Sequence, residues 1–243
     1  MPYIERRLEL LTEGVTKQVN ESLRTVFEPL IVELACAVSS AKSYEDLARV
    51  HEAAATLGAS IVLEVKKRGG SWDDFIGLLN YCCTTTYLRL LPTRPKIRYK
   101  VMARIEGLFL GLANTFERMA NDRQHEINGL MCPPTTEALE SWCKENINFE
   151  DWSKSWAQIL RYAFIVLAYS SAPNFDRDEK ELIAGMFMHI NKEFYRRIGA
   201  VYELIAISNN GDLPEFLEYS DIFVSEFEKI RASSQPSGWG SEK

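Results

Sequence analysis

Residues 43–70 read SYEDLARVHEAAATLGASIVLEVKKRGG, and this stretch decides the fold. Leu47, Val50, Ala54, Leu57, Ile61 and Val65 recur at the steps that place side chains on one face of an α-helix. Ser43 stands where its hydroxyl can accept first-turn amides, and Glu45 and Asp46 suit the positive end of a helix. Lys66, Lys67 and Arg68 suit the negative end, and Gly69-Gly70 supply the stop.

The same period extends in both directions. Towards the N-terminus, Leu8, Leu11, Val15, Val19, Leu23 and Val26 form a stripe, and Pro29 is expected to start or kink a second segment, Leu30 to Val38. Towards the C-terminus, Ser71 caps a helix that carries Asp73 and Asp74 in its first turn and runs to about Leu91. Pro92 and Pro95 bracket a turn. A long helix over 96–128 follows, with Val101, Ile105, Leu108, Leu112, Phe116 and Met119 inward. A short helix from Thr135 or Thr136 ends at Lys144. Asn148 caps the next helix, whose stripe is Trp152, Trp156, Leu160, Ala163 and Leu167, and Pro173 breaks it. Residues 176–208 read as another long helix, with Leu182, Met186, Ile190, Ile198, Val201 and Ile205 inward, ended by Asn209-Asn210-Gly211. Asp212 to Glu215 form a capping box for a last helix over 213–231, whose near-heptad apolar residues suit docking on a second copy as a homodimer.

The expected fold is therefore all-α: an irregular multi-helix bundle of seven or eight helices with no sheet. One helical domain covers 1–232. Pro133-Pro134 marks the place where it would divide into lobes 1–132 and 133–232, and 233–243 is a polar tail. Lys96 to Val101 alternates with period two, a strand pattern, but the helical pattern that follows it decides for helix.

Composition narrows the function classes. The chain has 243 residues, 46% hydrophobic and 26% charged, as a globular protein does. Its net charge of −6 sets the chain as a whole apart from general nucleic-acid binders. The N-terminal residues carry charges without a following apolar run, and no run reaches the length of a membrane span, so a cytoplasmic location without membrane partners is the expectation. The five cysteines form no CxxC pair, and Cys82-Cys83 reads as two small core residues rather than a redox pair.

Against the acidic balance stands a basic run: Arg89, Arg94, Lys96, Arg98, Lys100 and Arg104, with no acid between them and with Tyr87 and Tyr99 interleaved. On a helix, Lys96, Lys100 and Arg104 share a face. Such a face would engage an anionic partner, an acidic protein or a nucleic-acid backbone; the alternative is a solvated face whose charges neutralise Glu and Asp on neighbouring helices. The chain accordingly reads as a non-enzymatic interaction or scaffold module needing no cofactor. It contains no nucleophile elbow, phosphate-binding loop or dinucleotide fingerprint.

Two rival readings stand beside it. Glu33, Glu106 and Glu203 each have apolar neighbours one helical turn away, and a buried carboxylate needs a partner or a proton. Gathered around a metal with His189 or His125, they would make a carboxylate-metal enzyme, although the Glu-x-x-His signature of such bundles is absent. Arg161 is the alternative partner for these carboxylates. Trp152, Trp156, Phe216, Phe223 and Phe227 would instead line an apolar-ligand cavity or simply form core. Asn174-Phe175-Asp176-Arg177-Asp178 opens like a calcium loop but lacks the turn glycine and the closing glutamate, so it reads as an acidic helix start. Ala103, Gly107 and Gly111 form a small-residue stripe suited to close helix packing.

Overall fold

The computed structural model describes residues 21–90, 99–121, 126–127, 130–131, 141, 144–145, 147, 152–172 and 174–200. The chain divides into two compact units, Met1–Arg197 and Ile198–Lys243. The helices described below belong to the first, which includes residues from both sides of Pro133-Pro134. The first stripe up to Val19, the helix at 135–144 apart from a few residues, and the last helix with its dimer face lie outside the described residues, as does the tail.

Six α-helices are present among the described residues: α1 (Glu21–Ser40), α2 (Asp46–Lys67), α3 (Trp72–Leu90), α4 (Tyr99–Asn121), α5 (Trp152–Ser171) and α6 (Arg177–Phe194). The class is all-α. A two-residue antiparallel ladder is added, β1 (Glu126–Ile127) on β2 (Leu130–Met131), with Ile127 opposite Leu130. The long helix expected to reach residue 128 therefore ends at Asn121. Asn128-Gly129, the dipeptide most favoured between hairpin strands, separates the two strands in the sequence.

Helix α2 carries its whole expected stripe in the core, joined by Ala53 and Gly58. Its start is a reciprocal pair: the Asp46 amide donates to Ser43 Oγ at 3.4 Å, and Asp46 Oδ2 accepts from the Ser43 and Lys42 amides at 3.0 and 2.8 Å. These bonds hold the Asp46 carboxyl below its usual value, the Lys42 amide contributing most. Its end is a double glycine turn. Gly69 and Gly70 have φ of 104° and 78°, which let their amides reach back to Lys66 O and Val65 O at 3.3 and 2.9 Å. Ser71 then caps α3 by accepting the Asp74 amide at 3.1 Å.

Helix α1 runs unbroken through Pro29. Pro29 lies on the exposed face, where water reaches the backbone its ring disturbs. Continuity resets the stripe to Leu23, Phe27, Ile31, Leu34 and Val38, and Val26 is turned out.

Helix α5 is the centre. From Ile159 to Ala168 every residue but Arg161 is buried, so more than the expected stripe is covered. Helix α2 crosses it at Gly58, where an added Cβ would lie 2.6 Å from Ser170 Cβ and 3.0 Å from Leu167 O. Close crossing thus falls at Gly58. In the stripe expected for this role, Gly107 faces open space and Gly111 meets only the Arg161 guanidinium. His51 of α2 reaches Tyr162 of α5, Nδ1 to hydroxyl 3.0 Å.

On its other side α5 joins an aromatic cluster. Phe109 stacks on Phe194 at 5.4 Å and on Phe164 at 6.2 Å, and Phe116 stacks on Phe187 at 5.7 Å. Tyr87 closes the cluster edge-on against Phe109 and Phe194, 5.1 and 5.0 Å between centroids. Between α5 and α6 the chain turns at Phe175, whose φ of 52° is left-handed. Its ring packs edge-on against Tyr169 and Phe116, with Lys180 Nζ 5.0 Å above it. Helix α6 differs from expectation in two ways. Its α-helical geometry gives way to a π-turn at Tyr195–Gly199, and Leu182 is exposed while Ile183, Met186, Phe187, Ile190 and Phe194 are buried.

Two measurements check this packing. Gly58→Ala lowers stability by about 1–3 kcal/mol in urea unfolding, because backbone blocks the new methyl. Gly77→Ala, exposed in α3 with nothing within 4 Å, raises it by about 0.5–1 kcal/mol, and equal shifts of one sign would refute the crossing. Burial holds His51 below its usual value of 6.5. The unfolded chain therefore takes up its proton first, and this contribution is complete above about pH 6.5 and declines as pH falls through it. The urea midpoint should fall with acidification from neutrality, and His51→Gln should remove that slope.

Candidate functional site

The basic run is only partly in view. Arg94, Lys96 and Arg98 lie outside the described residues, and α4 begins at Tyr99 rather than at residue 96. Lys100 falls in its first turn, with its side chain outside the description. Two of the six cations can be placed. Arg89 is ion-paired with Glu28 of α1, so it is tied to an acid of the same chain. No helical spacing links these two positions, and the sequence carried no sign of the pair. Arg104 is exposed and has no ion pair among the described residues. Tyr87 does not interleave with the cations on the surface: its ring is in the core, where burial pushes its phenol up and the Arg104 charge pulls the other way.

Among the described residues no carboxylate cluster is assembled. Glu33 and Glu106 are both exposed. On α4 the buried stripe is Ile105, Leu108, Phe109, Leu112, Phe116 and Met119, which turns Glu106 to solvent together with Gly107 and Leu110. On α1 the reset stripe turns out Glu33 with Cys36. Glu203 lies outside the described residues, and His189 is exposed on α6. Among the described residues no group of three His, Cys, Asp or Glu side chains converges to hold a metal ion.

Arg161, expected to pair with a glutamate, instead donates to Thr115 Oγ1 at 2.6 Å and to Gly111 O at 3.4 Å. Thr115 in turn donates to Gly111 O at 2.7 Å. Burial lowers the pKa of this guanidinium. Cys82 and Cys83 are fully buried, and burial pushes both thiols up, as core residues require. The calcium-like acids serve the start of α6. Asp176 Oδ1 accepts the Glu179 amide at 3.0 Å, and the buried Glu179 carboxylate accepts the Asp176 and Asn174 amides at 3.2 and 3.0 Å.

What the structure does assemble is a groove between α3 and α6, of about 790 Å³. Trp72, Ile76 and Asn80 line one wall at successive turns of α3. Asp178, Glu181, Leu182, Gly185, Met186 and His189 line the other along α6. Tyr87 and Phe194 pack together near the C-terminal ends of these helices, while residues of their N-terminal turns share the groove, so the helices run in the same sense. Two large apolar side chains stay open to water there, Trp72 at 47% and Leu182 at 39% exposure. The lining contains two carboxylates and neither lysine nor arginine. Glu181 is paired with Arg177 at 2.8 Å, whereas Asp178 has no ion pair among the described residues.

Of the candidate site residues His189 lines this groove, together with Asp178 of the calcium-like run and Leu182 and Met186 of the expected inward stripe. Trp72, next to the Ser71 cap, and Leu182, expected inward, are both exposed. The spacing 178, 182, 185, 189 was the sequence trace of the outward face. No helix among the described residues is long and apolar enough to cross a membrane. No protein-family model, no curated protein and no solved structure matches this chain.

Proposed function

We propose that this chain is a helical interaction module that holds a segment of another protein in the α3–α6 groove. The observation that carries the reading is the exposure of Trp72 and Leu182 across one shallow, open lining that also includes Ile76 and Met186. Exposed aromatic and aliphatic side chains around a groove supply the anchors on which interfaces depend. A photocrosslinking side chain at Gly185 tests it, since a Cβ there meets nothing within 4 Å. Crosslinked product should form in cells at Gly185 and fall away on Leu182→Asp, while the same group at exposed Glu33 gives none. Equal labelling at both positions would sink the reading.

A second surface has one observation in its favour. Arg104 is exposed and without an ion pair among the described residues, one helical turn after Lys100. It supports engagement of an anionic partner, an acidic protein or a nucleic-acid backbone, by the run Arg94 to Arg104, with Arg89 set aside because Glu28 holds it. Binding to a single-stranded oligonucleotide or polyglutamate should then weaken steeply with salt. Joint neutralisation of Arg94, Arg98 and Lys100 should abolish it, and unchanged binding refutes this surface.

A further inference from the structure

We propose that the α3–α6 groove takes a short amphipathic helix of a partner protein, with apolar anchors on one face and lysine or arginine along its flanks. The proposal rests on the docking reading above and adds the conformation and charge of the occupant.

Conformation follows from the walls. Both are α-helices, whose backbone groups bond within their own turns, so the groove offers no open strand edge. An extended segment laid there would leave its amides and carbonyls without protein partners, whereas a helix brings its own bonds satisfied. The wall residues lie in rows three and four positions apart, the ridges between which a third helix packs. At about 1.5 Å per residue, Trp72 to Asn80 spans about 12 Å and Asp178 to His189 about 16 Å, room for two to three turns. Gly185, between Leu182 and His189, lets an incoming side chain approach the α6 backbone.

Charge follows from the rim. Asp178 and Glu181 line the groove, and Asp73 follows Trp72 in the same turn. The nearby cations are already engaged, Arg177 with Glu181 and Arg68 with Asp74 and Glu64. Asp73 and Asp178 have no ion pair among the described residues. The partial positive charge of the two helix starts is answered by Ser71 with Asp74 and by Asp176 with Glu179. A net negative rim remains over an apolar floor. It attracts a cationic flank and repels an acidic segment or a nucleic-acid backbone.

The experiment uses the full chain and two labelled helix-forming peptides of about 14 residues. Both carry Leu and Trp at i, i+3, i+4 and i+7, one with Lys flanks and its twin with Glu flanks. Fluorescence anisotropy should show the Lys peptide binding about five- to tenfold tighter, with the difference shrinking as salt rises. Leu182→Asp should weaken the Lys peptide, and Asp178→Lys with Glu181→Lys should reverse the preference. Asp178→Asn, a milder change, should narrow it with the circular dichroism spectrum unchanged. Equal binding of the twins overturns the charge assignment and leaves docking standing. Absence of peptide binding, with Gly185 crosslinking intact, overturns the helical occupant alone. Absence of both overturns the docking reading as well. Self-association of the chain that Leu182→Asp abolishes would make the occupant a second copy and overturn the proposal.

Discussion

The described unit depends on enclosing α5. A helix buried on nearly every side must be met by neighbours on every side, and each does so differently. Helix α2 comes close enough at Gly58 for backbone to touch side chain, which only a residue without Cβ allows. Helices α4 and α6 meet it through stacked phenylalanine rings. The cation that interrupts the buried run, Arg161, is accommodated by a threonine hydroxyl and a backbone carbonyl of α4. Only Nη2 makes these bonds, and the buried Nε has no partner among the described residues, so the half-buried cation is partly satisfied.

The groove follows from this arrangement. The aromatic cluster draws α3 and α6 together at Tyr87 and Phe194. Towards their N-terminal turns the two helices line the groove, with Trp72 and Leu182 exposed on its sides. The proposed docking groove and the core thus share the Tyr87–Phe194 contact as a neighbour.

Where one face of a helix was strongly apolar and its ends were marked, the sequence could be read closely. Helix α2 is the clearest case: its six-residue stripe and its Gly69-Gly70 stop are present, and Ser43 bonds Asp46 in the turn that leads into it, although the helix itself is capped at Glu45 without a side-chain bond. The Ser71 cap and the acidic start of α6 were equally legible, because capping is local chemistry between residues three apart. Phase was the weak point. In α6 a choice between Leu182 and Ile183 as the inward residue turned on which neighbours α6 meets, and those are distant in sequence. The same uncertainty put Glu33 and Glu106 on apolar faces that are outward. Tertiary pairs such as Arg89 with Glu28, and the close crossing at Gly58, leave no local trace at all. The groove was missed for the same reason, since its two walls lie about a hundred residues apart.

Phe175 bears on how that groove behaves in time. A left-handed backbone at a phenylalanine is held at about 1–3 kcal/mol of local strain. The ring is retained because Tyr169, Phe116 and Lys180 enclose it. Helix α6 begins two residues later, so its first turn cannot swing outward without withdrawing that ring. The start of the wall bearing Asp178 and Glu181 is thereby held in place by the core. For the docking role proposed above, a wall held in this way would spend little free energy on ordering the host.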